Sequence, residues 1–322
     1  MNRENALSGF REKTVQRRKE FQECMEKRAL NHAEMLEIMV KDGMDQLGEA
    51  MERQGKEYVC FLYLALPKAD VIRRRYQFLL HAMDLSWYLD EDPAEVYVSA
   101  GDLFEPLNDL WDYLLEESRE YMGMVNSYDV QNLIFEELKP VHTILAEVLR
   151  YRLREWEQKG IFEKVQLYPQ WLMAYGEYRD QTEIILRTEQ VEREPEAWKE
   201  ELRKTSHSPN VMMFGYWYQH ACEDSRLKEL DLRFITFEKS KLRNLLFEKC
   251  NLEGARFPGS SITDCSFEDC RLWGADFTGC SFEHVSFQGA ELTGAVFPAE
   301  SVSFLNLDPE QLQTILLKRE EQ

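Results

Sequence analysis

The sequence predicts two regimes in one chain. A mainly α-helical N-terminal domain with a small antiparallel β element comes first, then a four-sided coil of short strands capped by a C-terminal helix. Three observations carry this reading. Apolar residues in the first two-thirds recur mostly at spacings of three and four, between turn signals. From Leu227 onward a large apolar residue falls at every fifth position. In the same region, residues twenty apart match in type.

Taken in order, residues 1–55 read as helix. Phe21, Met25, Met35, Leu36, Met39, Val40, Met44, Leu47 and Met51 form one apolar face, with Gly43 and Gly48 as points where it bends or breaks. The methionines suit an adaptable partner-binding face or a buried seam, and the seam is favoured. Residues 56–100 hold short aromatic and β-branched runs divided by LPKAD and DEDP, which predicts two to four antiparallel strands. Within them YQFLLHAMDLSWYL also fits a helix. From 101, Asp102 is placed to cap a helix, and VQNLIFEELKPVHTILAEVLRYRLREWEQKG has helical spacing with Gly160 as its stop. A third helical region is expected over 169–204, with REPEAWKEELRK as a solvated linker. The resulting boundaries are a helical domain at 1–208, an aromatic connector plugging the first coil at 209–226, about four coils at 227–307, and a capping or dimerisation helix at 308–322.

The five-residue rule is the strongest signal. Leu232, Phe237, Leu242, Phe247, Leu252, Phe257, Ile262, Phe267, Leu272, Phe277, Phe282, Phe287, Leu292 and Phe297 occupy one column. Two residues earlier runs a column of small residues, including Cys250, Ala255, Cys265, Cys270, Ala275, Cys280, Ala290 and Ala295. Both columns point inward, and about three residues in five face out. Period five fits neither helix nor plain strand, but it fits a chain that turns a corner every five residues. Four sides make a twenty-residue coil, and coils stack at roughly the 4.8 Å strand spacing. Such a coil must superpose residues twenty apart. Leu232, Leu252, Leu272 and Leu292 match, as do Phe237, Phe257, Phe277 and Phe297, and Phe247, Phe267 and Phe287.

The stretches CNLEG, CRLWG-ADFTG and AELTG-AVF resemble the A(D/N)Lxx motif of pentapeptide-repeat proteins. The resemblance covers about 225–307 and implies a right-handed quadrilateral β-helix. The repeat degenerates at its edges, where Leu230, Ile235, Leu245 and Glu300 stand in place of small residues, as solenoid ends adapting to caps do. Past the repeat, Asp308 is a helix N-cap and Pro309 suits the first helical position. Leu312, Ile315 and Leu316 then supply an apolar face that covers the last coil or pairs with a second copy. Related proteins use C-terminal elements to dimerise, so the resemblance keeps both open.

Composition narrows function. The chain has 322 residues and a formal charge of −20, divided as −13 over 1–222 and −7 over 223–322. Spread acidity repels phosphate backbones, so no direct nucleic-acid binding is expected. Arg73–Arg75 is the one compact basic patch, read first as the solvated face of a strand. The longest apolar run, YVCFLYLAL, is too short to span a bilayer. The charged N-terminus shows no signal peptide, which makes cytoplasmic residence the expectation. Seven cysteines without a CxxC read as reduced thiols, and those in the repeat as wall material. His220 near Cys222 is a weak metal candidate. Pairs such as Glu116/Glu117 and Glu136/Glu137 read as solvated helix faces. No nucleotide-loop, zinc-protease or nucleophile-elbow motif occurs, so neither catalytic residues, metal nor cofactor is assigned.

Three readings follow. The first is a non-enzymatic interaction or scaffold protein with a protein partner; some proteins of similar arrangement serve bacterial secretion or contractile injection systems as adaptors or chaperones. The second is an acidic DNA mimic that binds a type II topoisomerase, as in the quinolone-resistance members of the resembled family. The third is an enzyme with its active site in the N-terminal domain.

Overall fold

The structure, a computed structural model, describes residues 2–178 and 181–319. It divides into two compact units, Met1–Leu186 and Arg187–Gln322.

The first unit opens with α1 (Arg3–Asn31) and α2 (Ala33–Gln54). The helix breaks at His32, not at Gly43 or Gly48. Those two glycines serve close packing inside α2. A Cβ on Gly43 would lie 2.3 Å from Leu80 Cδ1, and one on Gly48 would lie 2.5 Å from the Lys164 carbonyl oxygen. Met39, Met44 and Met51 are buried, so the methionine stripe is a packing seam.

The chain continues through β1 (Val59–Leu66), α3 (Lys68–Ile72), β2 (Gln77–Met83), β3 (Ala94–Ser99), α4 (Gly101–Ser118) and α5 (Ser127–Gln158). It returns as β4 (Leu167–Glu177) and β5 (Thr182–Glu189) to complete a five-stranded sheet of order β3-β2-β1-β4-β5. β1 pairs antiparallel with β2 and parallel with β4. A parallel neighbour requires a long crossover, and α4 with α5 fall between the two strands. The helical reading of 169–204 is therefore corrected to two strands and one short helix. The cause is visible in β4: from Trp171 to Glu177 nearly every residue is buried, so the two-residue alternation of a half-exposed strand is erased.

Helix starts follow local chemistry. Asn126 and Asp129 form a reciprocal capping box at α5, whereas α4 begins at Gly101, so Asp102 lies in its first turn instead of capping it. α5 stops just before Gly160, which takes φ 80°. Glu137 is not a solvated side chain. It accepts from Arg18 at 2.7 Å and from Gln22 at 2.8 Å, tying α1 to α5. The main core joins the helices to one sheet face through Leu62, Leu64, Phe78, Leu80, Met173 and Tyr175. The other face carries a separate small cluster of Phe61, Tyr63, Met83, Leu172 and Ala174.

The second unit begins with α6 (Ala197–Lys204) and then coils in about five turns from Tyr216 to Lys318. Pairing between turns is parallel with a register of twenty: Trp217 opposite Phe237, Leu242 opposite Ile262, Phe247 opposite Phe267. The 209–226 segment is not a plug, since Tyr216–Tyr218 and Ala221–Lys228 are strands of the first turn. At the far end α7 (Pro309–Thr314) is capped by Asp308 and Gln311, and a strand, Leu316–Lys318, pairs with Val296–Pro298. The expected helix thus ends early. Ile315 is extended and Leu316 lies in the strand, while positions 320–322 fall outside the described residues.

Candidate interaction surfaces

What the coil offers outward is set by what it spends inward. Of the large column, all but Phe282 are at most 2% exposed, and half-buried Phe282 packs against the same core. The phenylalanines stack as columns: Phe257 lies 5.4 Å from Phe237 and 4.6 Å from Phe277, within 12° of parallel. The neighbouring column, Phe247–Phe267–Phe287, stacks at 4.8 and 5.1 Å. The two columns meet edge to face, as Phe277 and Phe287 do at 5.6 Å and 82°. These geometries suit the aromatic quadrupole.

The small column has its own ladder. Ser240 Oγ donates to the Trp217 carbonyl at 3.0 Å, Ser260 Oγ to that of Phe237 at 2.8 Å, and Cys280 Sγ to that of Phe257 at 2.8 Å. Each of these bonds reaches back 23 residues and satisfies a carbonyl at a corner. Ala255, Ala275, Ala290 and Ala295 are buried in the same role without a donor. The cysteines belong to this wall. Burial pushes the Cys265 thiol up to about 11, and those of Cys222 and Cys280 are likewise raised by burial. A hydrogen bond between the Cys250 and Cys270 thiols raises Cys270 and lowers Cys250. Protonated, buried thiols are poor nucleophiles and poor ligands.

A further period-five signal is present that the inward columns do not reveal. From Phe214 to Gly294, every fifth residue has positive φ. Six of these corners are glycines, at 254, 259, 274, 279, 289 and 294; the others include Asn244, Asp264 and His284. At Gly289 a Cβ would also meet Asp269 Oδ1 at 2.3 Å.

Outward positions carry polar and charged groups that pair across the twenty-residue step. Arg243 meets Glu223 at 3.0 Å, His284 meets Asp264 at 3.0 Å, and Arg271 meets Glu291 at 3.6 Å. Arg271 also lies 4.5 Å over the exposed Trp273 ring. Opposite charges thus stack at Arg243–Glu223 and Arg271–Glu291, whereas Glu248 and Glu268 stack like on like. The two ends differ. At the first turn Trp198 of α6 is buried edge-on to Trp217 at 5.1 Å and donates to Ser225 Oγ at 3.2 Å. The supposed solvated linker is thus a cap. His220, 5% exposed beside Trp217, occupies a small-column position in that turn, with Cys222 in the large column. At the last turn, Gln311 Nε2 donates to the Phe287 and Ala290 carbonyls, both at 2.8 Å. Leu312 is half-exposed, Ile315 packs on the coil core, and Leu316, Leu317 and Phe304 stand in solvent.

In the first unit Arg73–Arg75 sits on the turn after α3, not on a strand. Arg75 pairs with Asp70 at 2.6 Å, and Arg74 pairs with Asp112 at 2.7 Å while lying over the Trp111 ring. Among the described residues no helix is long and apolar enough to cross a membrane.

Comparison with known proteins agrees with the coil. Residues 231–269 and 260–297 match the model for pentapeptide repeats, in eight copies, whereas the N-terminal region has no family match. Among solved structures, the chain is similar to trypsin-treated QnrB1, a plasmid-mediated fluoroquinolone resistance protein, at 22% identity over 29% of this chain and 53% of that one, with a TM-score of 0.19. It is also similar to Rfr23 from the cyanobacterium Cyanothece 51142, at 22% identity over 23% and 56% of the two chains, with a TM-score of 0.14. HetL, involved in heterocyst differentiation regulation in Nostoc sp. strain PCC 7120, is 14% identical over 33% and 57%, with a TM-score of 0.13. The chain spans about half the length of each of these proteins. No curated protein matches it.

Proposed function

We propose, from the premise that the C-terminal region belongs to the pentapeptide-repeat family, that this protein is a non-enzymatic binding protein whose partners are other proteins. One observation carries the reading: inward hydroxyls and thiols of the coil, and several of its outer charges, are engaged in its own construction. The former close carbonyls inside, and the latter pair across turns. What remains is a set of flat, regular faces, which suit recognition by a partner. Within that role, a separate N-terminal domain followed by repeats suits an adaptor or chaperone of a bacterial secretion or contractile injection system, by analogy of arrangement. Capture of the tagged chain from its native host, followed by identification of co-purifying proteins, tests this. Recovery of the chain alone at every ionic strength sinks it.

The basic residues interspersed on the outer faces, such as Arg243 and Arg271, weigh against the DNA-mimic alternative, which needs a continuous acidic surface. About five turns also extend only roughly 25 Å at the strand spacing. No inhibition in a gyrase supercoiling assay is the expected result.

A further inference from the structure

The geometry points to a docking surface for an arginine- or lysine-rich peptide on the loop that joins β2 to β3. The loop is aromatic and held from below. Trp87 stacks on Phe61 at 5.2 Å and on Tyr88 at 4.8 Å. Trp87 Nε1 donates to Tyr63 Oη at 3.3 Å, and Tyr88 Oη lies 3.2 Å from the same oxygen. With its rings fixed in this way, the loop still leaves Trp87 44%, Tyr88 60% and Leu89 83% exposed. A contiguous apolar surface set on a rigid base marks a contact site more often than a random surface does.

Charge decides the occupant. DLSWYLDEDPAE, residues 84–95, carries five carboxylates and no cation. Asp90 is the most committed, accepting from Lys56 Nζ at 2.6 Å and from the Asp84 amide at 2.8 Å. Asp84 accepts the Ser86 amide at 2.7 Å, Asp92 accepts from Gln54 at 3.3 Å, and Glu95 lies 2.6 Å from His81 Nδ1. Asp84, Glu91, Asp92 and Glu57 line a cleft of about 510 Å³ that Leu89 borders, and the one lysine there, Lys56, is paired to Asp90. A guanidinium stacks on an exposed indole or phenol face and forks to a carboxylate beside it. The loop provides both partners within a few residues. An apolar helix laid here would instead bury carboxylates unpaired, and an anionic partner would be repelled by a chain of charge −20.

This surface rests on the binding role proposed above but uses none of the repeat faces, so the two stand or fall by different experiments. The test is anisotropy titration of fluorescein-labelled nona-arginine into the full chain at physiological ionic strength. Glu91→Gln with Asp92→Asn, and Trp87→Ala with Tyr88→Ala, are each expected to weaken binding about tenfold or more. Glu23→Gln with Glu26→Gln, an equal charge change on exposed α1 positions, is expected to leave it unchanged. The carboxamide pair keeps the experiment decisive if the aromatic pair impairs folding. Absence of binding, or equal weakening by the α1 pair, overturns the proposal as mere attraction to net charge. Retention of a host partner by the carboxamide variant would leave the repeat-based reading standing.

Discussion

Phe257 shows how much a single side chain contributes to the coil. It is fully buried, with parallel rings on both sides and the edge of Phe267 at 6.1 Å. Neighbouring turns are pinned by backbone hydrogen bonds, so the site cannot collapse around a gap. Phe257→Ala is therefore expected to cost about 3–5 kcal/mol in urea denaturation; a loss below about 1 kcal/mol would show that the turns do close in. His142 supplies a pH test in the other unit. Its Nδ1 lies 2.9 Å from Tyr175 Oη, and burial, aided by the Lys68 charge, lowers its pKa from 6.5 to about 4. The unfolded chain thus takes up the proton first as pH falls. The stability due to neutral His142 is complete above pH 6.5 and declines toward pH 4, by about 3 kcal/mol at roughly 1.4 kcal/mol per unit. A His142→Phe variant should lose stability less steeply across that window, and an unaltered slope would remove His142 as the cause. At this scale the two inward columns were legible because burial selects size directly. The positive-φ corners were not, because backbone conformation selects residue type weakly: Gln219, Glu229, Lys239 and Lys249 hide in the early turns the phase that glycines reveal later.

Elements were legible where one face is wet. α1, α2 and α5 announce themselves by spacing, and Asp308 and Pro309 by capping chemistry. β4 did not, because a strand buried on both faces loses its period, and its partner β1 lies some hundred residues earlier. β5, an edge strand with only Ile185 and Leu186 buried, is too partly covered to show a clean alternation. Trp198 was missed as a cap because seven of the residues around it in α6 are polar or partly exposed, and a single inward ring leaves no periodicity. In the sequence the β2–β3 loop shows only a turn signal, since exposure of its aromatic rings is a tertiary property. Gln311 gives the element-scale prediction. Its amide is the buried donor through which α7 closes two carbonyls of the last turn. Gln311→Leu keeps the volume but takes the side-chain donor from the Ala290 carbonyl, leaves the Phe287 carbonyl only the Ala290 N–H at 3.1 Å, and removes the acceptor of the Asp308 amide. A loss of about 1–3 kcal/mol is therefore expected. It should appear first as faster amide exchange in the last turn, at residues such as Leu316, whose N–H bonds the Ala295 carbonyl at 2.8 Å. Uniform acceleration over the whole coil would contradict a local cap.

For the second unit as a whole, the asymmetry between its ends has a consequence for assembly. The first turn is closed by α6, with Trp198 buried against Trp217 and Phe237. Among the described residues the last strand, Leu316–Lys318, pairs on one side only, exposes all three residues, and lies near exposed Phe304 in sequence. A solenoid open at both ends would stack head to tail into filaments. With the first turn closed, association through the last turn would join like with like and stop at two. A symmetric dimer through the C-terminal end is the expected state, in sedimentation equilibrium at micromolar concentrations. Leu316→Glu with Leu317→Glu places like charges across the symmetry axis while touching no buried residue. That variant should sediment as a monomer with its circular dichroism unchanged. An unmodified chain that stays monomeric at all concentrations would mean that the short strand and α7 suffice to close the coil, and that its exposed leucines have another use.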